Sequence, residues 1–379
     1  MNRNTSIFLV SLVLFISGLS LLCGGCDREN KRTKKPSFLQ IGEFTIHRQN
    51  DNLTVVRDGA GRNLALVPRG GPEPRGFPPE RIIRVPVKKV VAYSSFDVAT
   101  LRILGVLKES LVGVTTPLKR WYVDDVRDGL VSGKIAYLGN AGSIDFERLK
   151  LQKPELVLTW DPSIIPMLDE LGIGCVITST PVAMCLNARM SFVKFLAPFF
   201  NREKEADAYF NRVRDSLAEI RAKTADKWPK PKVMWGDMYE KRVLVEPGNA
   251  WIGELVGLVN SGYLFDDVYG TSCIEISMER FLYSGMEADI YFTYRTPENG
   301  ATSKAALARL HPLMAGIKPL GPEGRVYAPL PHYSQSGDRL DEIFTEIAAI
   351  IHPDSYPGYH LRYFRELPPT DPGEQETQQ

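Results

Sequence analysis

The chain has 379 residues, with 46 Lys and Arg against 45 Asp and Glu, so its formal net charge is +1. This balance excludes a general electrostatic attraction to nucleic acid. The hydrophobic content of 44 % is that of a globular protein and excludes a protein built from many membrane spans. The length is sufficient for two domains of ordinary size.

Residues 1–25 are predicted to be a lipoprotein signal peptide. A single charge, Arg3, precedes an apolar run that is short for a membrane span. The run ends in LCGGC at 22–26, which resembles the lipobox of bacterial lipoproteins, and the small Gly25 favours Cys26 as the lipidated residue. The mature chain is then expected to be extracytoplasmic and lipid-anchored to the membrane. An ordinary secretory signal and an uncleaved anchor are the alternatives.

The next segments differ in composition. Residues 26–40 are charged and poor in apolar side chains, which predicts a flexible tether. Within residues 41–80, short apolar alternations are interrupted by NDN at 50–52 and DGAG at 58–61, and a Pro- and Gly-rich stretch follows. This pattern predicts a small antiparallel β extension and a link that is neither helix nor central strand.

Residues 81–200 alternate between strand and helix patterns. The β-branched runs 88–93 and 111–115 and the apolar run 156–160 are predicted strands, and segments such as 96–104 are predicted helices. Strands that are apolar throughout and alternate with helices indicate a parallel sheet covered on both faces. We therefore predict an N-terminal α/β lobe.

Residues 201–228 are predicted to form one long helix. Its apolar residues recur at steps of three and four and make a single stripe of Ala206, Tyr209, Phe210, Val213, Leu217 and Ile220. The strand–helix alternation begins again over 229–355, which predicts a C-terminal α/β lobe. Residues 366–379 are rich in Pro, Glu, Gln and Thr and are predicted to be disordered. The fold class is therefore α/β, with two similar halves joined by one helix.

Cysteine and histidine provide no metal-site pattern. Beyond the signal, Cys175, Cys185 and Cys273 match no zinc spacing, and free thiols are favoured over a Cys175–Cys185 disulfide, although that pairing stays open outside the cytoplasm. The five histidines are scattered, which weighs against a binder of bare zinc or manganese.

Several short phrases occur in a characteristic order: PVKKVVAYSS at 86–95, LGV at 104–106, LVGV at 111–114, IDFERL at 144–149, KPELVL at 153–158, GELV at 253–256 and ISMERF at 276–281. Their order and spacing over 86–353 resemble the substrate-binding proteins of iron-siderophore, haem and cobalamin ABC importers. The resemblance implies two Rossmann-like lobes with parallel sheets, bridged by one long helix, with a ligand cleft between them. It further implies a monomer without enzymatic activity or a cofactor of its own, which binds a small metal chelate and delivers it to an ABC permease dimer in the inner membrane.

The prediction of a permease partner depends on two glutamates. In the family, glutamates at the positions of Glu147 and Glu279 dock into arginine-lined pockets on the two permease subunits. One negative charge on each lobe would set the register on a two-fold partner through charge-assisted hydrogen bonds. The alternative is that each glutamate only complements the dipole at the start of its helix.

The ligand cleft is expected at the carboxyl ends of the strands of both lobes. Aromatic rings suit a flat ligand, and arginines suit an anionic chelate. The candidate ligand-binding residues are Tyr93, Ser94, Ser95, Trp121, Tyr122, Asn140, Trp160, Tyr239, Arg242, Trp251, Tyr294, Arg295, His332 and Tyr333. Any one of these aromatic residues could instead pack in the core.

Arg242 and Arg295, together with the tyrosines, favour an iron-siderophore type of chelate. Haem or cobalamin on the same scaffold is the first alternative. An extracytoplasmic enzyme is a second, although the chain has no Gly-x-Ser-x-Gly, His-Glu-x-x-His or phosphate-loop motif. A chelate scavenger or sensor that takes no part in transport is a third.

Overall fold

The computed structural model describes residues 37–239 and 242–371. The predicted signal peptide, the predicted lipidation site at Cys26 and the predicted tether up to residue 36 lie outside the described residues, as do residues 372–379. The last residues predicted to be tether, 37–40, instead belong to a strand. The strand pattern that begins at residue 37 covers too few residues to be distinguished from the charged segment before it.

The strands are, in chain order, β1 Ser37–Ile41, β2 Phe44–Asn50, β3 Leu53–Arg57, β4 Asn63–Pro68, β5 Ile82–Val85, β6 Val90–Ala92, β7 Leu111–Val114, β8 Ala136–Tyr137, β9 Gly139–Asn140, β10 Ser143–Ile144, β11 Leu156–Thr159, β12 Cys175–Ile177, β13 Lys232–Tyr239, β14 Arg242–Val245, β15 Gly262–Tyr263, β16 Ile274–Ile276, β17 Ile290–Phe292, β18 Arg325–Pro329 and β19 Phe364–Glu366. The α-helices are α1 Ser95–Ile103, α2 Leu107–Ser110, α3 Asp124–Val131, α4 Phe146–Gln152, α5 Ile165–Glu170, α6 Leu186–Phe200, α7 Glu203–Thr224, α8 Trp251–Leu258, α9 Met278–Glu287, α10 Lys304–Ala308 and α11 Leu340–Ile351.

The N-terminal extension is a five-stranded sheet in the order β1-β2-β3-β4-β5. Its first four strands are antiparallel neighbours, and β4 pairs in parallel with β5. Phe44 of β2 packs on α6, with its ring centroid 5.2 Å from that of Phe192 and 4.6 Å from that of Phe195. The extension therefore supports the helix that leads out of the first lobe.

The turn between β3 and β4 joins this extension to the edge of the first lobe. Gly59 N donates to Ile177 O at 2.9 Å, and Ile177 N donates to the Asp58 carboxylate at 3.1 Å. A Cβ on Gly59 would lie 1.7 Å from Ser179 O, so only glycine allows this approach. Asp58 is fully buried and pairs with Arg62 at 2.7 Å.

The first lobe contains a sheet in the order β12-β11-β6-β7-β8 in which every strand pair is parallel. One face packs in the main core with α1 and α6, and the other forms a second core with residues of α4 and α5. Both faces are thus covered, as the uniformly apolar strands predict.

Two helices connect the lobes. The long helix predicted over 201–228 is α7, and the stripe is confirmed because Ala206, Tyr209, Val213 and Ile220 are buried. Asn201, in a left-handed conformation, separates α7 from the preceding helix α6. That helix was not predicted, because most of its side chains are buried and it has no polar face to mark its period.

The second lobe has a mixed sheet, in the order β16-β14-β13-β17-β18-β19 with β15 beside β13. The strands β15, β13, β17 and β18 are parallel neighbours, whereas β14, β16 and β19 pair in antiparallel fashion. The expectation of a wholly parallel second sheet is therefore wrong at its two edges. The two-lobed α/β architecture itself is confirmed.

The predicted disorder from residue 366 is wrong for the residues up to Asp371. Strand β19 pairs with β18, and the buried carboxylate of Glu346 accepts hydrogen bonds from the backbone N–H groups of Arg362, Tyr363 and Phe364 at 2.7–2.8 Å. Composition alone did not reveal this anchor. None of the helices in the described ranges is both long and apolar enough to span a membrane.

Asp58→Ala is expected to lower the free energy of unfolding by about 3 kcal/mol, because it leaves Arg62 and the Ile177 N–H without their buried partner. Equilibrium urea unfolding measures this. Glu73→Ala is the matched control: its ion pair with Arg84 is exposed and 3.5 Å long, so its loss should change the free energy by less than about 0.5 kcal/mol. Equal effects of the two substitutions would contradict the structural role of Asp58.

Asp97 caps α1 from a fully buried position, and burial raises the pKa of this carboxyl group to about 6. The folded state then binds more protons than the unfolded state between about pH 4 and 6, so stability is present at low pH and declines as the pH rises through this window. Relative to the wild type, Asp97→Asn should therefore gain about 2–3 kcal/mol between pH 4 and pH 7, measured by urea unfolding at both pH values. Asp128→Asn, at an exposed carboxylate, is the control. An Asp97→Asn curve parallel to the wild type would refute the assignment.

Candidate ligand cleft

The carboxyl ends of the parallel strands of the two lobes face each other, and several contacts cross between them. Ser95 Oγ, at the start of α1, donates to Ser334 O at 2.9 Å. Gln335 accepts from Tyr122 N at 2.9 Å. Arg102 pairs with Asp338 at 2.9 Å. The segment after β18 therefore lies against the first lobe and closes one side of the cleft.

A cavity of about 310 Å³ opens in the second lobe beyond β13, β17 and β18. It is mostly apolar, and its walls include Trp235, Tyr294, Tyr333 and Phe364, with Thr293 and Ser334 as polar groups. A volume of this size, lined by aromatic rings and few polar atoms, is typical of small-ligand pockets.

A second cavity of about 460 Å³ lies between the lobes and is more polar. Tyr122 and His332 contribute rings to it, with centroids 6.5 Å apart. Its arginines have protein partners, since Arg102 and Arg339 pair with Asp338 and Arg362 pairs with Glu342. Carboxylates of the protein therefore compensate the positive charges that line this cavity.

Five of the predicted ligand-binding residues come together around these two cavities or at the contact between the lobes: Ser95, Tyr122, Tyr294, His332 and Tyr333. The Ser94 hydroxyl is engaged within the first lobe, because it donates to Asp97 at 2.6 Å and caps α1. Tyr122 Oη donates to Glu298 of the opposite lobe at 3.2 Å.

Tyr93 and Trp121 are core residues in the structure and do not line the cleft. Their exposed fractions are 3 % and 1 %. Trp121 Nε1 donates to Thr116 O at 2.9 Å, and burial raises the pKa of Tyr93. Sequence position at a strand end could not separate these inward-facing rings from their exposed neighbours.

The two arginines predicted to bind an anionic ligand are both paired within the second lobe. Arg242 lies 2.8 Å from Glu275. Arg295 lies 3.1 Å from the buried Asp237 and stacks 4.6 Å above the ring of Tyr239. Any anion would have to compete with these carboxylates.

The other candidates are dispersed. Trp160 is half-exposed at the end of β11, and Asn140 is exposed on β9, where it accepts from Tyr137 Oη at 3.1 Å. Trp251 begins α8, and its N–H donates to Met184 O at 2.9 Å. The structure does not bring these residues to the aromatic cavity.

A polar cluster that the sequence did not indicate lies beside Tyr294. Cys273 is an exposed residue whose Sγ lies 3.7 Å from Glu246, and partial desolvation of the thiol raises the pKa of Cys273 to about 11. Burial also raises the pKa of Tyr294 and of Glu246. Arg189 interacts electrostatically with Glu246 and Tyr333 from the first-lobe side. Arg189 lies in the unpredicted helix α6, so no motif or strand end pointed to it.

The described ranges contain no group of three or more His, Cys, Asp or Glu side chains arranged to hold a metal ion. Cys175, Cys185 and Cys273 are free thiols.

Glu147 and Glu279 occupy equivalent places, one in each lobe. Each follows a short strand and is the second residue of its helix, α4 or α9, and each is exposed. The caps match as well, because Asp145 accepts from Arg148 N at 2.9 Å and Ser277 accepts from Arg280 N at 3.1 Å. In the described part of the chain neither glutamate forms a salt bridge.

Comparisons with known proteins agree with this architecture. Residues 90–328 match the family model described as periplasmic binding protein. An uncharacterized lipoprotein of Methanocaldococcus jannaschii is 26 % identical over 328 residues, which are 82 % of this chain and 77 % of that protein.

Two solved structures show the same fold. A periplasmic haem-binding protein from Pseudomonas aeruginosa aligns with a TM-score of 0.57 at 18 % identity, over 75 % of this chain and 99 % of that chain. A possible iron-binding periplasmic solute-binding protein from Staphylococcus epidermidis aligns with a TM-score of 0.55 at 17 % identity, over 70 % and 99 %. With the family model matching more than half of its length, the chain belongs to the periplasmic binding protein family.

Proposed function

We propose that this protein is the substrate-binding lipoprotein of an ABC importer and that it delivers an iron-siderophore type of metal chelate to the permease. The observation that carries the proposal is the matched pair Glu147 and Glu279. Both are exposed at the second position of a helix, with equivalent caps, and neither has an ion-pair partner in the described ranges.

The matched geometry favours docking over a purely local role. A glutamate in the first turn of a helix contributes a few tenths of a kcal/mol through the helix dipole, and one such residue would need no counterpart. A two-fold permease presents the same pocket twice, so its partner must supply two equivalent charges. The local sequences, IDFERL and ISMERF, repeat the arrangement of a cap, a glutamate, an arginine and a buried apolar residue.

The cleft supports a chelate as the ligand. Its aromatic cavity fits the flat or aromatic surface of such a molecule, and Thr293 and Ser334 provide polar groups in its wall. The structural neighbours described as iron-binding and haem-binding are consistent with this class of ligand. Haem or cobalamin remains the alternative on the same scaffold.

The double substitution Glu147→Ala with Glu279→Ala should abolish chelate uptake by cells and leave chelate affinity unchanged, because the two side chains lie outside the cleft. Uptake is measured with ⁵⁵Fe-labelled chelate, and affinity by tryptophan fluorescence of the purified protein.

Glu219→Ala with Glu323→Ala is the matched control, since both glutamates are exposed on other surfaces. It should retain full uptake. Normal uptake by the Glu147 and Glu279 double variant would reject the docking role and favour a chelate scavenger or sensor.

Membrane attachment is proposed to occur through a lipid on Cys26. The support is the lipobox-like sequence and the lipoprotein relative in Methanocaldococcus jannaschii. Cys26→Ser should move the protein from the membrane pellet to the soluble fraction after detergent-free lysis. Cys23→Ser is the control and should stay in the pellet. Retention of the Cys26→Ser protein in the pellet would favour an uncleaved anchor.

A further inference from the structure

Arg189 occupies an unusual position between the two lobes. It lies on α6, which contacts α1 of the first lobe and α8 of the second. Its guanidinium carbon is 4.2 Å from the ring centroid of Phe96 on α1 and 5.7 Å from that of Trp251 on α8. The cation is therefore flanked by one aromatic ring from each lobe.

The Arg189 guanidinium has no hydrogen-bond or ion-pair partner in the part of the chain that the structure describes. Its Nε atom is buried without an acceptor. The other arginines around the cleft differ in this respect, since Arg102, Arg339 and Arg295 each contact a carboxylate. The side chain is partly buried and its Nε is shielded from water, so this cation without a carboxylate partner is available to an anion that a ligand supplies.

Glu246 does not fill this role. Its electrostatic interaction with Arg189 is long-range, because the two side chains form no ion pair. Burial also raises the pKa of the Glu246 carboxyl group. It instead accepts a contact from Cys273 at 3.7 Å. The charge of Arg189 is therefore not neutralised by a protein carboxylate at contact distance.

The contacts with the two rings leave the guanidinium N–H groups without an acceptor among the described residues. The guanidinium carbon lies over the rings of Phe96 and Trp251, and the N–H groups of a guanidinium point along its own plane. Those in-plane donors match the two oxygens of a carboxylate. Tyr333, which interacts electrostatically with Arg189 and lines the aromatic cavity, would at the same time contact the apolar body that carries this carboxylate.

We propose that Arg189 binds a carboxylate at the edge of the transported chelate and so selects for carboxylate-bearing metal chelates. This inference rests on the proposed function, because it assumes that the cleft holds a chelate. It assigns the anion-binding role to a residue that touches both lobes, and not to Arg242 or Arg295, which already have carboxylate partners.

The test compares four probes by tryptophan-fluorescence titration: ferric citrate and haemin, which carry carboxylates, and ferrioxamine B and cyanocobalamin, which have none. A carboxylate probe should bind most tightly to the wild type. Arg189→Met should weaken that binding by about 10- to 100-fold, the loss expected for one charge-assisted interaction. The same substitution should change any binding of the other two probes by less than about threefold.

Arg212→Met is the matched control, because Arg212 also stacks on a ring, that of Tyr209 at 5.2 Å, but pairs with Asp341. It should leave every affinity unchanged. If Arg189→Met does not fold, Arg189→Lys decides the question: it keeps the charge and loses the planar fork, and should weaken carboxylate binding about fivefold or more.

Each other outcome overturns the inference. Tightest binding of a probe without a carboxylate, or unchanged carboxylate binding in the Arg189 variants, would reject the role of Arg189 while the chelate-binding function stands. Failure of all four probes to bind would reject both proposals.

Discussion

The structure depends on the burial of one helix. Helix α6 contacts β1, β2 and β5 of the extension, α1 of the first lobe, α8 of the second lobe, and α7. Almost all of its side chains are buried, which is the expected character of a helix that is enclosed on every side. The extension, both lobes and the long connecting helix therefore share one continuous core, and the geometry of the cleft follows from how they pack on α6.

This arrangement restricts how the lobes can move. Helix α7 packs on both α6 and α11, and side-chain contacts such as Tyr209 Oη to Gly337 O at 2.7 Å join it to the segment that closes the cleft. Packed helices slide by small amounts, whereas large rotations need free hinge residues. A modest closing motion is consistent with such a connection. The polar contacts between the lobes, at Ser95, Tyr122 and Arg102, are the ones that a motion would have to break.

The sequence predicted the parts of the fold that have a local signature. The stripe on α7, the apolar strands of the first lobe and the helix starts at Glu147 and Glu279 each depend on residues a few positions apart. Helix α6 has no polar face and contains Pro198, so its period was not visible. The burial of Tyr93 and Trp121, and the pairing of Arg242 and Arg295 with carboxylates, depend on residues far away in the chain, or on which side of a strand end faces the core. No local pattern records those contacts.

The same distinction separates the two proposed roles. A docking glutamate needs only exposure and a defined helix start, so its position can be recognised from its own segment. A ligand-binding arginine is recognised by the absence of a carboxylate partner in the protein. That absence becomes apparent only when the positions of all neighbouring side chains are known. Arg189 is a positively charged residue in a helix that is otherwise almost wholly apolar and buried. Partial enclosure lowers the effective dielectric constant around this unpaired charge, which strengthens its attraction to an anion that enters the cleft. The packing of α6 would thus hold the lobes together and also make Arg189 selective.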